Sequence, residues 1–155
     1  MSMKNSIRGA RGFTLLEVLV ALTILSIGLL GIAGLMMVSL KNNQSAVYRS
    51  QAAWLAYDIV DRMRANRGLA LPAAGASPYS YTISSTAVPG AGVAHDDLDA
   101  WKTAVTGALT SGGGSVAVVP ATGVTTVTIQ WDDTRSGVAA TGISATQTYT
   151  MSTRI

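Results

Sequence analysis

At 155 residues the chain has room for one small domain, and its N-terminal third is too apolar to be part of it. Lys4, Arg8 and Arg11 supply the excess behind a formal charge of +3; beyond them eight basic residues face eight acids, which excludes a basic nucleic-acid-binding surface. Cysteine is absent, so disulfide staples, thiol chemistry and cysteine metal sites are excluded.

A basic leader, ending RGARG, stops at Gly12, and an apolar run opens at Phe13. Between residues 15 and 40 the non-apolar members are Glu17, Thr23, Ser26, Ser39 and glycines. About 20 such residues span a bilayer as a helix, and the leader charges hold the N-terminus on the cytoplasmic side. An ordinary secretory signal has an apolar core of about 7–15 residues followed by a small-residue cleavage site. This run is longer, and no such site follows Met37. A plain single-pass anchor explains length and orientation but not Glu17, the only glutamate in the chain. A carboxylate within a membrane segment costs about 2.5–3.5 kcal/mol, and such acids mark function or snorkel to the interface. Glu17 lies one helical turn beyond Phe13. Gly28, Gly31 and Gly34 let neighbouring helices approach closely, or are simply tolerated in lipid.

No proline precedes Pro72, so the helix is expected to continue from Phe13 to about Arg67, roughly 80 Å. Its second half changes character. Tyr48, Ala52, Leu55, Ile59 and Met63 form one amphipathic stripe. Asp58 and Arg62 pair in the favourable order, and Arg62, Arg64 and Arg67 suit the negative end of the helix dipole. Gly68 reads as the C-cap, with Pro72 beyond it.

Residues 69–94 read as a loop holding one short strand, on the alternation of Tyr79, Tyr81 and Ile83. Asp96 is the expected N-cap of a helix over about 96–109, with Asp97 and Asp99 near its positive end. Leu98, Trp101, Val105 and Leu109 share one face of it. Gly112-Gly113-Gly114 reads as a flexible turn, lacking the lysine of a phosphate loop. Strands are expected over 115–119, over 124–131 with Val127, Ile129 and Trp131 alternating, and over 147–155 with Tyr149, Met151 and Ile155 on one side. Residues 132–137 read as a turn or longer loop between the last two. Together these give an α+β domain of antiparallel strands covering the helix stripe.

Catalytic chemistry is scarce. His95 reads as an ordinary helix-start histidine, and nothing resembles a nucleophile elbow. The pairs Asp96/Asp97 and Asp132/Asp133 lack EF-hand spacing and read as caps and turns. Trp54 and Trp101 read as core residues rather than carbohydrate platforms. The chain is expected to be no enzyme and to need no cofactor or metal.

Gly12, Phe13 and Glu17 match, residue for residue, the class III signal of type IV prepilins and type II secretion pseudopilins, which the chain resembles. That resemblance implies cleavage between Gly12 and Phe13 by a prepilin peptidase that is also the N-methyltransferase of the Phe13 amine. It gives Glu17 an assembly role, pairing with the amine of a neighbouring subunit. It also implies the type IV pilin fold, a long helix whose C-terminal half packs on a small antiparallel sheet. The divisions are then a leader at 1–12, a membrane or filament-core half at 13–40, an amphipathic half at 41–68 and a globular domain at 69–155. Residues 39–67, with their DRMRANR ending, together with 95–108 and Trp131-Asp132-Asp133, are similar to the minor pilins of the PilV family, the type IV pilus modification proteins. The implied partners are other minor pilins, the major pilin and a large tip adhesin. The implied location is the bacterial inner membrane before assembly, with the C-terminal domain periplasmic, and the pilus afterwards. The TLLEVLVAL opening is also similar to GspI-type pseudopilins, the alternative within the same group. Many major pilins carry a C-terminal disulfide and a helix-breaking proline, and this chain has neither.

Overall fold

A computed structural model describes residues 12–85, 87–134 and 145–155. It contains helices α1 (Leu15–Ala65), α2 (Arg67–Ala70) and α3 (Val93–Ala108), then strands β1 (Gly113–Val119), β2 (Val124–Asp132) and β3 (Thr146–Arg154). The expected α+β order is present: one long N-terminal helix, then a three-stranded antiparallel sheet in the order β1-β2-β3. The chain divides into two units, Met1–Leu40 and Lys41–Ile155.

In the first unit, every described residue is exposed, including the large apolar side chains from Phe13 to Leu40. An apolar surface all round a helix suits a lipid or helix-bundle environment. The two hydroxyls near its middle are already satisfied internally. Thr23 Oγ1 donates to the Leu19 carbonyl at 2.8 Å, and Ser26 Oγ to the Leu22 carbonyl at 2.7 Å. Neither then brings an open donor into lipid.

The second unit has one core. The α1 face supplies Ala52, Ala56, Ile59, Val60 and Met63; α3 and the residue after it supply Leu98, Trp101, Val105 and Leu109. Val116 of β1 and Val127, Ile129 and Trp131 of β2 close it from the sheet side. The strict alternation of β2 puts these side chains inward, while Thr126 and Thr128 face their β3 partners Ser152 and Thr150 outside. Trp101 ties the helices together, its indole N–H donating to the Leu55 carbonyl at 2.8 Å. Gly114 makes room for that indole: a Cβ there would lie 2.3 Å from the ring.

Several local expectations need correction. Trp54 is 74% exposed, not core. It sits two residues after Ala52, about 200° round the helix, so it faces away from the stripe that its neighbours define. The long helix ends at Ala65, and Gly68 lies inside the short α2 rather than capping α1. Helix α3 starts at Val93, three residues before Asp96; Gly92, at φ +83°, takes the cap position and its carbonyl receives the Asp96 N–H at 3.0 Å. Gly113 and Gly114 belong to β1 instead of a flexible turn. The strand expected near Tyr79 reduces to one bridge, in which Tyr81 and Val116 exchange two 2.8 Å bonds.

Candidate processing and assembly site

The start of α1 is set by Thr14. Its carbonyl accepts the N–H groups of Glu17 at 3.1 Å and Val18 at 3.3 Å, and its hydroxyl accepts that of Glu17 at 3.3 Å. This is the N-cap half of a capping box, Thr14-x-x-Glu17. Because the helix begins at Leu15, Gly12 and Phe13 stand outside it. Phe13 is 82% exposed, and a Cβ on Gly12 would meet nothing within 4 Å. An unwound, uncrowded peptide is what an endopeptidase must seize, since a helical amide is turned into its own hydrogen-bond ladder.

Glu17 occupies the first helical turn, where the positive end of the dipole favours an acid. Among the described residues its carboxylate has no hydrogen-bond or ion-pair partner. Gly12, Phe13 and Glu17 thus lie in one continuous segment: an exposed, non-helical peptide at Gly12-Phe13 and, one turn on, a carboxylate without a partner among the described residues. Leader residues Lys4, Arg8 and Arg11 lie outside the described residues. Thr14 is not among the residues that the sequence analysis singles out, although the Thr-x-x-Glu spacing at the head of an apolar run signals it.

Residues 7–33 match the prokaryotic N-terminal methylation motif. The chain carries a prepilin signal. The motif, followed by a long apolar helix, supports a type IV pilin-like protein that is processed by a prepilin peptidase and associates with a membrane. No curated protein and no solved structure matches the chain.

The other polar residues singled out in the sequence sit in structural contacts. Asp97 gathers three residues: its carboxylate accepts from the Tyr79 hydroxyl at 2.6 Å, from Asn66 at 3.4 Å and from Arg62 at 3.5 Å. Arg62 also keeps its pair with Asp58, at 3.1 Å. Asp132 accepts the N–H of Thr134 at 2.8 Å, and Asp133, buried, accepts from Ser45 of α1 at 2.7 Å. The rest of that turn, residues 135–137, lies outside the described residues. His95 is half-buried in the first turn of α3. Among the described residues, no three of His, Cys, Asp and Glu come together as a metal site would require.

The Tyr79 phenol is pushed up to about 12, by burial first and then by its bond to Asp97 and the charge of that carboxylate; Asn66 and Arg62 pull the other way. A raised tyrosine pKa means that the folded state holds the proton more tightly than the unfolded one. The contribution to stability is therefore complete below about pH 10 and is lost as pH rises from about 10 to 12. Urea unfolding of the wild type and Tyr79→Phe at pH 8 to 12 should show the wild type losing its advantage in that window. At neutral pH, Tyr79→Phe should cost about 1–3 kcal/mol, as expected for a hydrogen bond to a charged acceptor.

Proposed function

We infer that the protein is a minor type IV pilin of the PilV kind. It inserts in the inner membrane through α1, loses its leader between Gly12 and Phe13, and joins other minor pilins in the complex that primes or tips the pilus. Its work is structural, not catalytic, and supports adhesion and twitching motility through the fibre and a large tip adhesin. The observation that supports this reading is the methylation motif across residues 7–33, a stretch that contains Gly12, Phe13 and Glu17 and runs into an exposed apolar helix.

The chemistry follows from the positions. Hydrolysis of the Gly12-Phe13 amide leaves a carboxylate on Gly12 and an ammonium on Phe13. Alone in lipid, Glu17 carries the desolvation cost of an unpaired charge. Beside the ammonium of a neighbouring subunit that cost is offset, so assembly is favoured over remaining in the membrane. Intact mass of the protein from its native host tests the first step: residues 1–12 should be missing and one methyl group added to Phe13. A mature N-terminus at Met1, or near Ser45, would overturn the reading. Deleting the gene separates the pilus from its rival. Loss of fibres with normal protein export supports a minor pilin; normal fibres with failed export favour a pseudopilin of type II secretion.

A further inference from the structure

A strand inside a sheet is bonded on both sides, while an edge strand leaves every second residue's N–H and C=O without a neighbour. Two bonds bracket β3 and fix its phase. The Asp133 N–H meets the Ala145 carbonyl at 2.8 Å, and the Ile155 N–H meets the Gly123 carbonyl at 3.0 Å. Both continue the register of β2 and β3, so the odd-numbered residues of β3 turn their main-chain groups toward β2. Those of Thr146, Thr148, Thr150, Ser152 and Arg154 then turn outward, and among the described residues nothing is bonded to them. The opposite edge of the sheet is not bare, because Tyr81 exchanges two bonds with Val116 of β1. Natural edges are commonly guarded by lysine, proline, a bulge or an inward-pointing charge. From Thr146 to Thr153 this edge has none of them, and its pairing with β2 is one-to-one throughout.

A row of open N–H and C=O groups fits one kind of occupant, an extended peptide whose own groups repeat at the same spacing. Charge decides which peptide. Arg49 of α1 reaches Gln147 at the start of β3, at 3.5 Å, and has no carboxylate within ion-pair distance among the described residues. Arg64 reaches Thr153 near the other end at 3.4 Å and is already paired with Asp61 at 2.9 Å. A second copy pairing antiparallel through its own β3 would bring the Arg49 end of one chain to the Arg154 end of the other, like charge to like. On the helix side, Ala53 and Tyr57 follow Arg49 at four-residue spacing, and Tyr57 is 53% exposed. We propose that β3 is a docking edge for an extended segment of a different chain, added antiparallel. That segment is uncharged along its length, apolar on the side toward α1, and carries a carboxylate at its C-terminal end, over Arg49. The edge belongs to the Lys41–Ile155 unit, so its role does not depend on cleavage at Gly12.

The probe is a synthetic peptide, Thr-Val-Thr-Val-Thr-Val-Glu-amide with an N-terminal fluorophore, titrated against the full chain in detergent. Anisotropy reads binding, and hydrogen exchange reads individual amides. The peptide should bind, and the amides of Thr148, Thr150 and Ser152, fast to exchange in the free protein, should become slow. Thr150→Pro removes one outward N–H and no bond to β2, so binding should weaken about tenfold, the scale of one main-chain partner left unmet. Thr150→Val alters the side chain alone and should bind like wild type. Methylating the peptide amides that face β3 should abolish binding, a control that needs no change in the protein. Arg49→Glu should reverse the preference between peptides ending in glutamate and in lysine. Fluorescence of the buried Trp101 and Trp131 checks that each variant is folded. No binding at millimolar peptide, equal binding of the methylated peptide, or slow exchange at Thr148 and Thr150 before peptide is added would overturn the proposal. So would protection that grows with the concentration of the chain alone, because the occupant would then be a second copy.

Discussion

Ile59→Asp is expected to unfold the Lys41–Ile155 unit. Ile59 has no exposed surface and sits in the core with Val60, Met63, Trp101 and Ile129. Losing the buried side chain costs about 2–5 kcal/mol by comparison with truncations of similar size. The aspartate adds the cost of a buried charge with no cation in the surrounding core, or of the proton it must take up to stay there. A small domain has only about 5–15 kcal/mol of stability in total, so the sum removes most or all of it. Trp101 and Trp131 are buried and report the loss directly through their fluorescence, monitored by urea titration of the chain in detergent. Trp54→Asp is the matched control. Its side chain is already in solvent, and its replacement should change stability by less than about 0.5 kcal/mol. Leu55, half-buried beside the core, should fall between the two. Tolerance of Ile59→Asp together with collapse in Trp54→Asp would mean that the helix packs by its other face.

Trp54 also shows where a sequence is read well and where it is read badly. Periodicity located the buried stripe of α1, because residues at helical spacing share a face whatever surrounds them. Ala52, Ile59 and Met63 of that stripe are fully buried, and Ala56 and Val60 widen it. Trp54 reads as core rather than as a carbohydrate platform, although its phase against Ala52 points outward. The stripe of α3 and the alternation of β2 were legible for the same reason, since one apolar period fixes one face. Caps were harder. Asp96 has the right chemistry for an N-cap, yet Gly92 at positive φ permits an earlier start, and Val93 and Ala94 supply the extra turn. The glycine run at 112–114 reads as a flexible turn because no local pattern shows its partner: Trp101, ten or more residues earlier, needs the space at Gly114. Asp97 as a meeting point for Arg62, Asn66 and Tyr79 depends on contacts across distant segments, which no local pattern encodes. In the processing segment the balance is reversed. Gly12, Phe13 and Glu17 are neighbours along the chain, so their arrangement is written in the sequence, and the structure adds the Thr14 cap.

Glu17→Ala should leave insertion and cleavage intact and abolish entry into the fibre. Removing a lone carboxylate from an apolar segment saves about 2.5–3.5 kcal/mol of insertion cost, so the membrane fraction should hold at least as much protein as wild type. The Gly12-Phe13 peptide, the proposed cleavage point, lies outside α1 and five residues before the substitution, counted from Gly12, so cleavage should persist. What disappears is the difference between the two environments. On the proposed pairing, wild-type Glu17 is unpaired in lipid and paired beside an ammonium; alanine is indifferent to the two, and the step from membrane to fibre would lose its electrostatic drive. Gly12→Ala should give the complementary pattern, a full-length chain whose Phe13 remains an amide and offers no ammonium. Each variant removes one partner of the same pair, so combining them should be no worse than either alone, as a double-mutant cycle requires of groups that act together. Quantifying membrane and sheared-fibre protein for wild type, both single variants and the double variant decides the matter. Additive defects would separate Glu17 from the Phe13 amine. Wild-type fibre content in Glu17→Ala would remove the pairing mechanism for this subunit and suit a chain that enters first, with no amine ahead of it to meet.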